Sequence, residues 1–267
     1  MATKVAGLHD EEGEHYSTVN KAYHTAFFHM GEYEGWQKDN ILSRLQLRPD
    51  HKLVDIGGGT GRCASLLHDA AGLEQPSLCV DPSASMLEEA GQLSGVETAC
   101  QGGLEFAQTA SAAGYDRALI KEVVHHLVDE DLAAMYSGIL AQLNPGGVVL
   151  TCTRPHIVQY PFFDAALEVW SRQQPPMEHY VEIMRAAGFA DVRCEVAEYP
   201  VTLDKGWWLE MVGNRFWSTF SLEHFGEEEL AAGMEEIRAK HVGSDTISFT
   251  EQMVFITATK PEAKARL

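Results

Sequence analysis

The sequence predicts a doubly wound α/β fold built on a seven-stranded, mostly parallel sheet. Short apolar runs alternate with amphipathic stretches through the middle of the chain, and a glycine-rich turn, Gly57–Gly61, follows the first of these runs. Strands and helices that alternate at this spacing form parallel βαβ units with right-handed crossovers. The predicted strands are Leu53–Ile56, Leu78–Asp81, Val96–Gln101, Arg117–Lys121, Val148–Cys152, Val192–Val201 and Phe249–Thr259.

Three segments are expected along the chain: an N-terminal arm with a helical lid, an α/β core that binds a cofactor, and a remainder that completes the sheet. Their bounds are residues 1–44, 45–153 and 154–267. In the first segment a helix is predicted with an interruption near Gly31–Gly35, because glycine disfavours helix interiors. In the last segment a helical cap insertion for the substrate, at about residues 204–245, separates the sixth strand from the seventh.

The composition excludes several classes of partner. The 267 residues include 39 Asp and Glu against 20 Lys and Arg, which gives a formal net charge of −19. Phosphate backbones and anionic membranes both select basic surfaces, so nucleic acid and membrane are not expected as partners. A small molecule is the expected substrate, and the composition leaves the oligomeric state open.

The cysteines indicate a reducing compartment. Five of them are spread singly, with no pairing to cysteine or histidine at zinc-ligand spacing, so neither a disulfide framework nor a metal site is expected. The cytoplasm is the expected location. The final tripeptide, Ala265-Arg266-Leu267, has only a loose similarity to a peroxisomal signal.

The glycine-rich turn admits three interpretations as a nucleotide site. A phosphate-binding P-loop requires a lysine after the glycines, and Arg62 follows them here. A dinucleotide site prefers GxGxxG. The position of the third glycine is occupied by Arg62 when the motif is counted from Gly57, and by Ala64 when it is counted from Gly59. The alanine is tolerable in that pattern, so this interpretation is weakened and stays open.

The third interpretation rests on four motifs in order. The segment Asp55-x-Gly57-x-Gly59-x-Gly61 after an apolar strand resembles motif I of the class I S-adenosylmethionine-dependent methyltransferases. Three further segments resemble later motifs of that family, namely Asp81–Leu87, Tyr115–Leu127 and Leu143–Gly147. The resemblance covers about residues 45–153. It implies a Rossmann-like methyltransferase fold and S-adenosyl-L-methionine as the cofactor, whose methyl group passes to a small metabolite by in-line displacement.

The resemblance also implies which residues bind the cofactor. They are Asp55, Gly57, Gly59, Gly61, Asp81, Pro82, Met86, Gly103, Leu104, Lys121 and Tyr16. An acidic side chain at Asp55 suits a cofactor with a cationic ammonium and sulfonium, and a carboxylate at Asp81 suits two ribose hydroxyls. Gly103 departs from the family, which usually places an aspartate there, so backbone groups of Gly103 and Leu104, or the side chain of Glu105, would have to contact the adenine.

Candidate catalytic and substrate residues lie outside these motifs or at their ends. His126 is the favoured general base and His125 the second candidate, although either imidazole is equally suited to tie down a loop. Arg154, Arg215, Tyr160 and Trp208 are the predicted substrate-binding residues. For Trp208 the alternative is a place in the buried stripe of a helix.

Three alternatives to O- or N-methylation remain open. S-methylation of a small thioether or thiol acid would need no general base when the acceptor is a thioether, because such a sulfur carries no proton. A nicotinamide-dependent oxidoreductase would use the same glycine turn. A non-catalytic S-adenosylmethionine-binding protein would keep the pocket without turnover.

Overall fold

The computed structural model describes residues 31–109 and 114–262. Its helices α1 to α9 span Gly31–Leu45, Arg62–Ala71, Ala84–Ala90, Gly103–Gln108, Asp129–Gln142, Asp164–Gln173, Met177–Ala186, Lys205–Gly213 and Glu227–Lys240. Its strands β1 to β7 span Leu53–Ile56, Ser77–Asp81, Val96–Cys100, Tyr115–Lys121, Leu143–Thr153, Ala190–Asp204 and Thr246–Thr259. Short 3-10 turns lie at Val124–His126 and Ser218–Phe220.

The strands of these segments form one sheet in the order β3-β2-β1-β4-β5-β7-β6. β1 pairs in parallel with β2 and β4, and β4 pairs in parallel with β5, whereas β7 is antiparallel to β5. The predicted doubly wound, mostly parallel, seven-stranded sheet is therefore confirmed. The strand order reverses between β1 and β4, and doubly wound sheets bind ligands at the carboxyl ends of the strands that flank such a switch point.

Apolar side chains cover both faces of the sheet. On one face Val54 and Ile56 pack into a cluster with side chains of α4, α5 and α7. On the other face Leu53 packs with Ile41 and Leu45 of α1. Parallel strands that are buried on both faces are expected to be continuously apolar. Within β1 the exception to that pattern is Asp55, and the site described below begins with it.

The chain divides into two compact units. The first, here called the sheet unit, comprises the described residues 36–109, 114–155, 175–197 and 253–262. The second, here called the aromatic unit, comprises the described residues 31–35, 156–174 and 198–252. No helix in the described part of the chain is long and apolar enough to cross a membrane.

The aromatic unit is built around a core of rings. Phe162 stacks on Trp208 with ring centroids 6.0 Å apart and meets Phe220 edge-on at 4.8 Å. Tyr160 packs against Trp217 at 5.3 Å. Because α8 and α9 both lie in the insertion between β6 and β7, the expected helical insertion is present over residues 205–245.

Two local expectations differ from the structure. Helix α1 begins at Gly31 and continues through Gly35, so it has no interruption within Gly31–Gly35; Ile41 and Leu45 of this helix are fully buried and offset the glycine cost of about 1 kcal/mol. Strand β5 begins at Leu143, five residues before the predicted start at Val148. The intervening residues form an irregular stretch, because the pairing with β4 shifts register there and Gly146 has a left-handed φ of +73°.

Candidate functional site

The turn after β1 is held by backbone hydrogen bonds, and its backbone conformation favours glycine at three positions. Gly57 and Gly58 both donate their N–H groups to the carbonyl of Val80, at 2.7 and 3.1 Å. Gly57, Gly59 and Gly61 have φ values of +73°, +55° and +70°, a region that side-chain-bearing residues rarely adopt. The turn therefore places backbone without side chains at the ends of β1 and β2, where a ligand can approach closely.

Two of these glycines are also fixed by their neighbours. A Cβ atom at Gly57 would lie 2.2 Å from Cγ2 of Val123, and one at Gly61 would lie 2.7 Å from Cβ of Ala90. A Cβ atom at Gly59 would meet no heavy atom within 4 Å. Gly57 thus packs against the segment after β4, while the side of the turn at Gly59 is open.

Asp55 is a buried carboxylate at the end of β1. Its side chain is 1% exposed, and neither carboxylate oxygen has a hydrogen-bond partner among residues 31–109 and 114–262. Burial raises the pKa of Asp55 to about 6, an effect that the nearby Lys121 ammonium opposes and the Asp81 carboxylate reinforces. A buried carboxylate is costly unless it is paired, so this position is suited to a cationic ligand group.

Asp81 ends β2 and connects two parts of the site. Its Oδ2 accepts a hydrogen bond from the Gly59 N–H and its Oδ1 accepts one from the Ser83 N–H, both at 2.9 Å. A carboxylate has about four acceptor positions, so each oxygen keeps capacity for a ligand hydroxyl. Asp81 therefore orders the open side of the glycine turn and remains available to a ligand.

The start of α3 presents the second predicted motif. The Ser83 hydroxyl accepts a hydrogen bond from the Met86 N–H at 3.4 Å and so caps the helix, as such residues commonly do. Pro82 is exposed and Met86 is half-buried, and both lie directly after Asp81. These two side chains are thus accessible beside the carboxylate.

Gly103 opens α4 in close contact with the core. A Cβ atom there would lie 3.0 Å from Cγ2 of Ile56 and 3.1 Å from the sulfur of Met135. Such distances are tighter than ordinary packing, so a side chain at this position would require Ile56 and Met135 to shift by a few tenths of an ångström. The half-buried Leu104 packs against the same core cluster.

The segment after β4 carries the candidate bases and an unusual glutamate. Glu122 has a left-handed φ of +60°, which is strained for a residue with a side chain. Its Oε2 pairs with the Arg154 guanidinium at 2.8 Å. His125 and His126 follow in a 3-10 turn, with ring centroids 4.0 Å apart.

The two histidines have different surroundings. The Nδ1 atom of His125 is buried and has no hydrogen-bond partner within the described residues. Burial, with smaller electrostatic contributions from His126 and Arg154, holds the pKa of His125 well below its usual range. His125 is therefore neutral at physiological pH, which a general base must be. The half-buried His126 donates its backbone N–H to the carbonyl of Val123.

The predicted substrate residues fall in both units. Arg154, at the end of β5, is 6% exposed and is engaged by Glu122. In the aromatic unit Trp208 is fully buried and donates its indole N–H to the carbonyl of Pro161 at 2.9 Å. That geometry is typical of a core side chain and favours the alternative of a buried helix stripe. Tyr160 is 4% exposed and lies within the same aromatic core.

Arg215 closes a loop of the aromatic unit. Its guanidinium donates hydrogen bonds to the backbone carbonyls of Phe220 and Phe225 and pairs with Glu227 at 3.0 Å. The backbone of Arg215 itself has a left-handed φ of +55°. These contacts assign Arg215 a structural function in this unit, and its predicted role in binding substrate stays a prediction.

Replacing Arg215 with Met is expected to lower the free energy of unfolding by about 2 kcal/mol, because the carbonyls of two buried residues lose their donors. Glu227→Gln is the matched control. Glu227 is exposed, so that variant should lose less than about 0.5 kcal/mol. Urea denaturation followed by circular dichroism measures both. Unchanged stability in Arg215→Met together with weaker acceptor binding would instead support the substrate-binding role.

Tyr16 lies outside the described residues. Within the described segments, no three side chains of His, Cys, Asp or Glu are grouped so as to hold a metal ion. Glu122 was not among the predicted site residues, because the sequence gives no sign of its left-handed backbone or its ion pair.

Known proteins share this sequence pattern and this fold. Residues 54–149 match the family model of a methyltransferase domain. A ubiquinone/menaquinone biosynthesis C-methyltransferase from Rhizobium etli is 25% identical over 224 residues, which cover 67% of this chain and 84% of that protein. The matched domain contains the glycine turn, Asp55, Asp81 and Glu122.

Solved structures extend the similarity to the fold. Phosphoethanolamine N-methyltransferase 2 of Haemonchus contortus superposes with a TM-score of 0.63 and 20% identity, over 98% of this chain. The match covers 62% of the length of that enzyme. Geranyl diphosphate C-methyltransferase of Streptomyces coelicolor gives a TM-score of 0.50 and 19% identity, over 86% of this chain and 80% of the other. Residues 54–149 of this chain thus match a methyltransferase domain, and the described residues have the fold of the solved methyltransferases named above.

Proposed function

We propose that the protein transfers a methyl group from S-adenosylmethionine to a small molecule. The observation that carries the proposal is Asp55, whose two buried oxygens lack a hydrogen-bond partner in the described part of the chain. A ligand with a positive charge and no phosphate fits such a carboxylate, and S-adenosylmethionine has both an ammonium and a sulfonium. The open, left-handed glycine turn beside Asp55 supports the same ligand.

The chain's own residues would hold the cofactor at the carboxyl ends of β1 and β2. Asp55 and the glycine turn would bind its amino-acid end, and Asp81 would accept hydrogen bonds from the ribose hydroxyls. The other proposed contacts are Pro82, Met86, Gly103, Leu104, Lys121 and Tyr16. When bound, the cofactor supplies an electrophilic methyl group, and the protein's task is to align the acceptor and exclude water.

His125 is the better supported general base of the two adjacent histidines. Its imidazole is neutral, and its Nδ1 atom has unused hydrogen-bonding capacity among the described residues. A neutral imidazole can take a proton from an amine or hydroxyl acceptor at physiological pH. His126 remains the alternative base that the family resemblance favoured.

Two observations support a small-molecule substrate. The net charge of −19 opposes binding of nucleic acids and other polyanions. The relatives are named for methylation of small compounds, one as a phosphoethanolamine N-methyltransferase and two as C-methyltransferases. Those names span different acceptor atoms, so they do not select one for this chain.

Replacing Asp81 with Ala is expected to weaken S-adenosylhomocysteine binding by about 1.5–3 kcal/mol, because the ribose hydroxyls lose a charged acceptor and Gly59 loses its anchor. Isothermal titration calorimetry measures the change. Asp116→Asn is the matched control, since Asp116 likewise accepts a backbone N–H, from Lys52, but lies at the amino end of β4. Its affinity for the cofactor should stay at the wild-type value.

The same titration separates the alternative functions. Binding of NAD(H) without binding of S-adenosylhomocysteine would contradict the proposal and favour an oxidoreductase. Binding of S-adenosylhomocysteine with no methylated product from amines, hydroxyl compounds, thiols or thioethers would favour a non-catalytic binding protein.

A further inference from the structure

Three buried polar atoms, here called the polar cluster, belong to residues at or just after the carboxyl ends of the adjacent strands β4 and β5. They are Oε1 of Glu122, Nδ1 of His125 and Oγ1 of Thr153, and none has a hydrogen-bond partner among residues 31–109 and 114–262. Lys121 at the end of β4 pairs with Cys152 of β5, so Glu122 and Thr153 follow at the next position of each strand. Buried polar groups in native proteins almost always have partners, so this cluster requires an explanation.

The cluster adjoins the proposed cofactor site. Val123 follows Glu122 in the chain and packs against the glycine turn. A Cβ atom added to Gly57 would lie 2.2 Å from Cγ2 of Val123. Ile56 at the end of β1 pairs with Ile120 of β4, only two residues before Glu122. A molecule that contacts the cluster would therefore be next to the glycine turn, where a methyl acceptor has to be.

The conformation of Glu122 also supports a ligand site at these strand ends. Its left-handed backbone is strained, and such strain in a side-chain-bearing residue is typical of functional sites. The ion pair with Arg154 uses Oε2 and orients the carboxylate, which leaves Oε1 as an acceptor. The backbone N–H of Glu122 donates to the carbonyl of Cys152 at 2.9 Å and fixes this arrangement to β5. A carboxylate fixed by these two contacts is preorganised to accept a hydrogen bond from a ligand.

We propose that Glu122, with Thr153 and His125, binds the methyl acceptor, and that the acceptor carries an N–H or O–H group. Oε1 of Glu122 accepts the hydrogen bond of that group, and the Thr153 hydroxyl and His125 Nδ1 provide a second and third contact. A thioether has no proton to donate and would leave Oε1 without a partner, so amines and hydroxyl compounds are favoured over thioethers. The proposal rests on the proposed function, since it assigns the acceptor side of the same methyltransferase site.

Binding to the S-adenosylhomocysteine complex tests this assignment. The probes are ethanolamine, catechol and 4-hydroxybenzoate, with dimethyl sulfide as the thioether, and thermal shift and calorimetry measure their binding. At least one N–H or O–H probe should bind to the wild-type complex. Glu122→Gln should weaken that binding by about tenfold or more, because a charged acceptor is lost. Its affinity for S-adenosylhomocysteine should stay within about twofold of wild type, since no cofactor contact is removed.

Two further variants make the test specific. Thr153→Val removes one hydroxyl at nearly constant volume and should also weaken binding of the same probe, without loss of cofactor affinity. Glu182→Gln, on the exposed face of α7, is the matched control and should bind probe and cofactor as wild type does. The probe that binds should also give methylated product by mass spectrometry, with a higher KM in Glu122→Gln.

The possible failures are distinguishable. Equal probe binding by wild type and Glu122→Gln overturns the assignment of Glu122, and so does binding or methylation of dimethyl sulfide alone. Absence of binding by all three donor probes, with S-adenosylhomocysteine still bound, also overturns it and leaves the cofactor site intact. Absence of S-adenosylhomocysteine binding by the wild type contradicts the proposed function itself.

Discussion

Replacing Asp55 with Asn is expected to stabilise the ligand-free protein at pH 7 by about 2 kcal/mol and to weaken S-adenosylhomocysteine binding about tenfold or more. Burial raises the pKa of Asp55 from 3.8 to about 6, so ionisation at neutral pH opposes folding. A shift of this size corresponds to about 3 kcal/mol, and burial of the new amide group removes part of that gain. The same substitution removes the negative charge that a cationic cofactor would meet.

The contribution of Asp55 to folding stability depends on pH. The folded state holds the Asp55 proton up to a higher pH than the unfolded state does. The contribution of Asp55 to stability is therefore greatest below pH 4 and is lost as the pH rises through 6. Urea denaturation at pH 4.5 and pH 7 should show this loss in the wild type and not in Asp55→Asn.

Asp116 provides a control of opposite sign. Burial alone would raise the pKa of Asp116, but hydrogen bonds from the Asn144 side chain and the Lys52 N–H outweigh it and lower the pKa. Asp116→Asn should therefore destabilise the protein at pH 7, and its contribution should disappear as the pH falls. The interpretation of Asp55 would be wrong if Asp55→Asn were less stable than wild type at pH 7 and bound S-adenosylhomocysteine normally.

Replacing Gly57 with Ala is expected to cost about 3–4 kcal/mol of stability, because the left-handed backbone and a collision with Val123 both oppose the new methyl group. Gly59→Ala is the matched variant. Gly59 has a similar φ but open space around its Cβ position, so the expected loss is about 1 kcal/mol. Chemical denaturation gives the free energy of unfolding of each variant.

A double variant identifies the cause of the larger loss. If the collision with Val123 is responsible, then Val123→Ala in the Gly57→Ala background should recover about 1 kcal/mol or more, since neighbouring substitutions are not additive. Equal losses in Gly57→Ala and Gly59→Ala would show that backbone strain alone accounts for both.

The sequence allowed the sheet and the common edge that carries Asp55 and Asp81 to be predicted, because both depend on local patterns. Apolar runs such as Leu53–Ile56 mark strands that are covered on both faces, and glycines after a strand mark a turn that only glycine can adopt. Asp55 and Asp81 stand at the ends of adjacent strands, so the topology alone brings their carboxylates to one edge. No long-range contact had to be known for these inferences.

The other features depend on contacts between residues distant in sequence. Nothing near Arg215 in the sequence shows that its guanidinium meets the carbonyls of Phe220 and Phe225. A buried indole is likewise indistinguishable from a ligand-facing one by sequence, so the hydrogen bond from Trp208 to Pro161 was not predictable. The ion pair between Glu122 and Arg154 joins two strands that are neighbours only in the folded sheet.

Helix α1 has a consequence for where this protein can be shortened. The helix precedes residues 54–149, the part that matches the methyltransferase domain, yet Ile41 and Leu45 of the helix are fully buried against the sheet. Arg117 of β4 also donates a hydrogen bond to the carbonyl of Leu45 and so caps the end of the helix. We therefore expect the smallest autonomously folding piece to include Ile41 and Leu45, so the matched domain is shorter than the unit that folds.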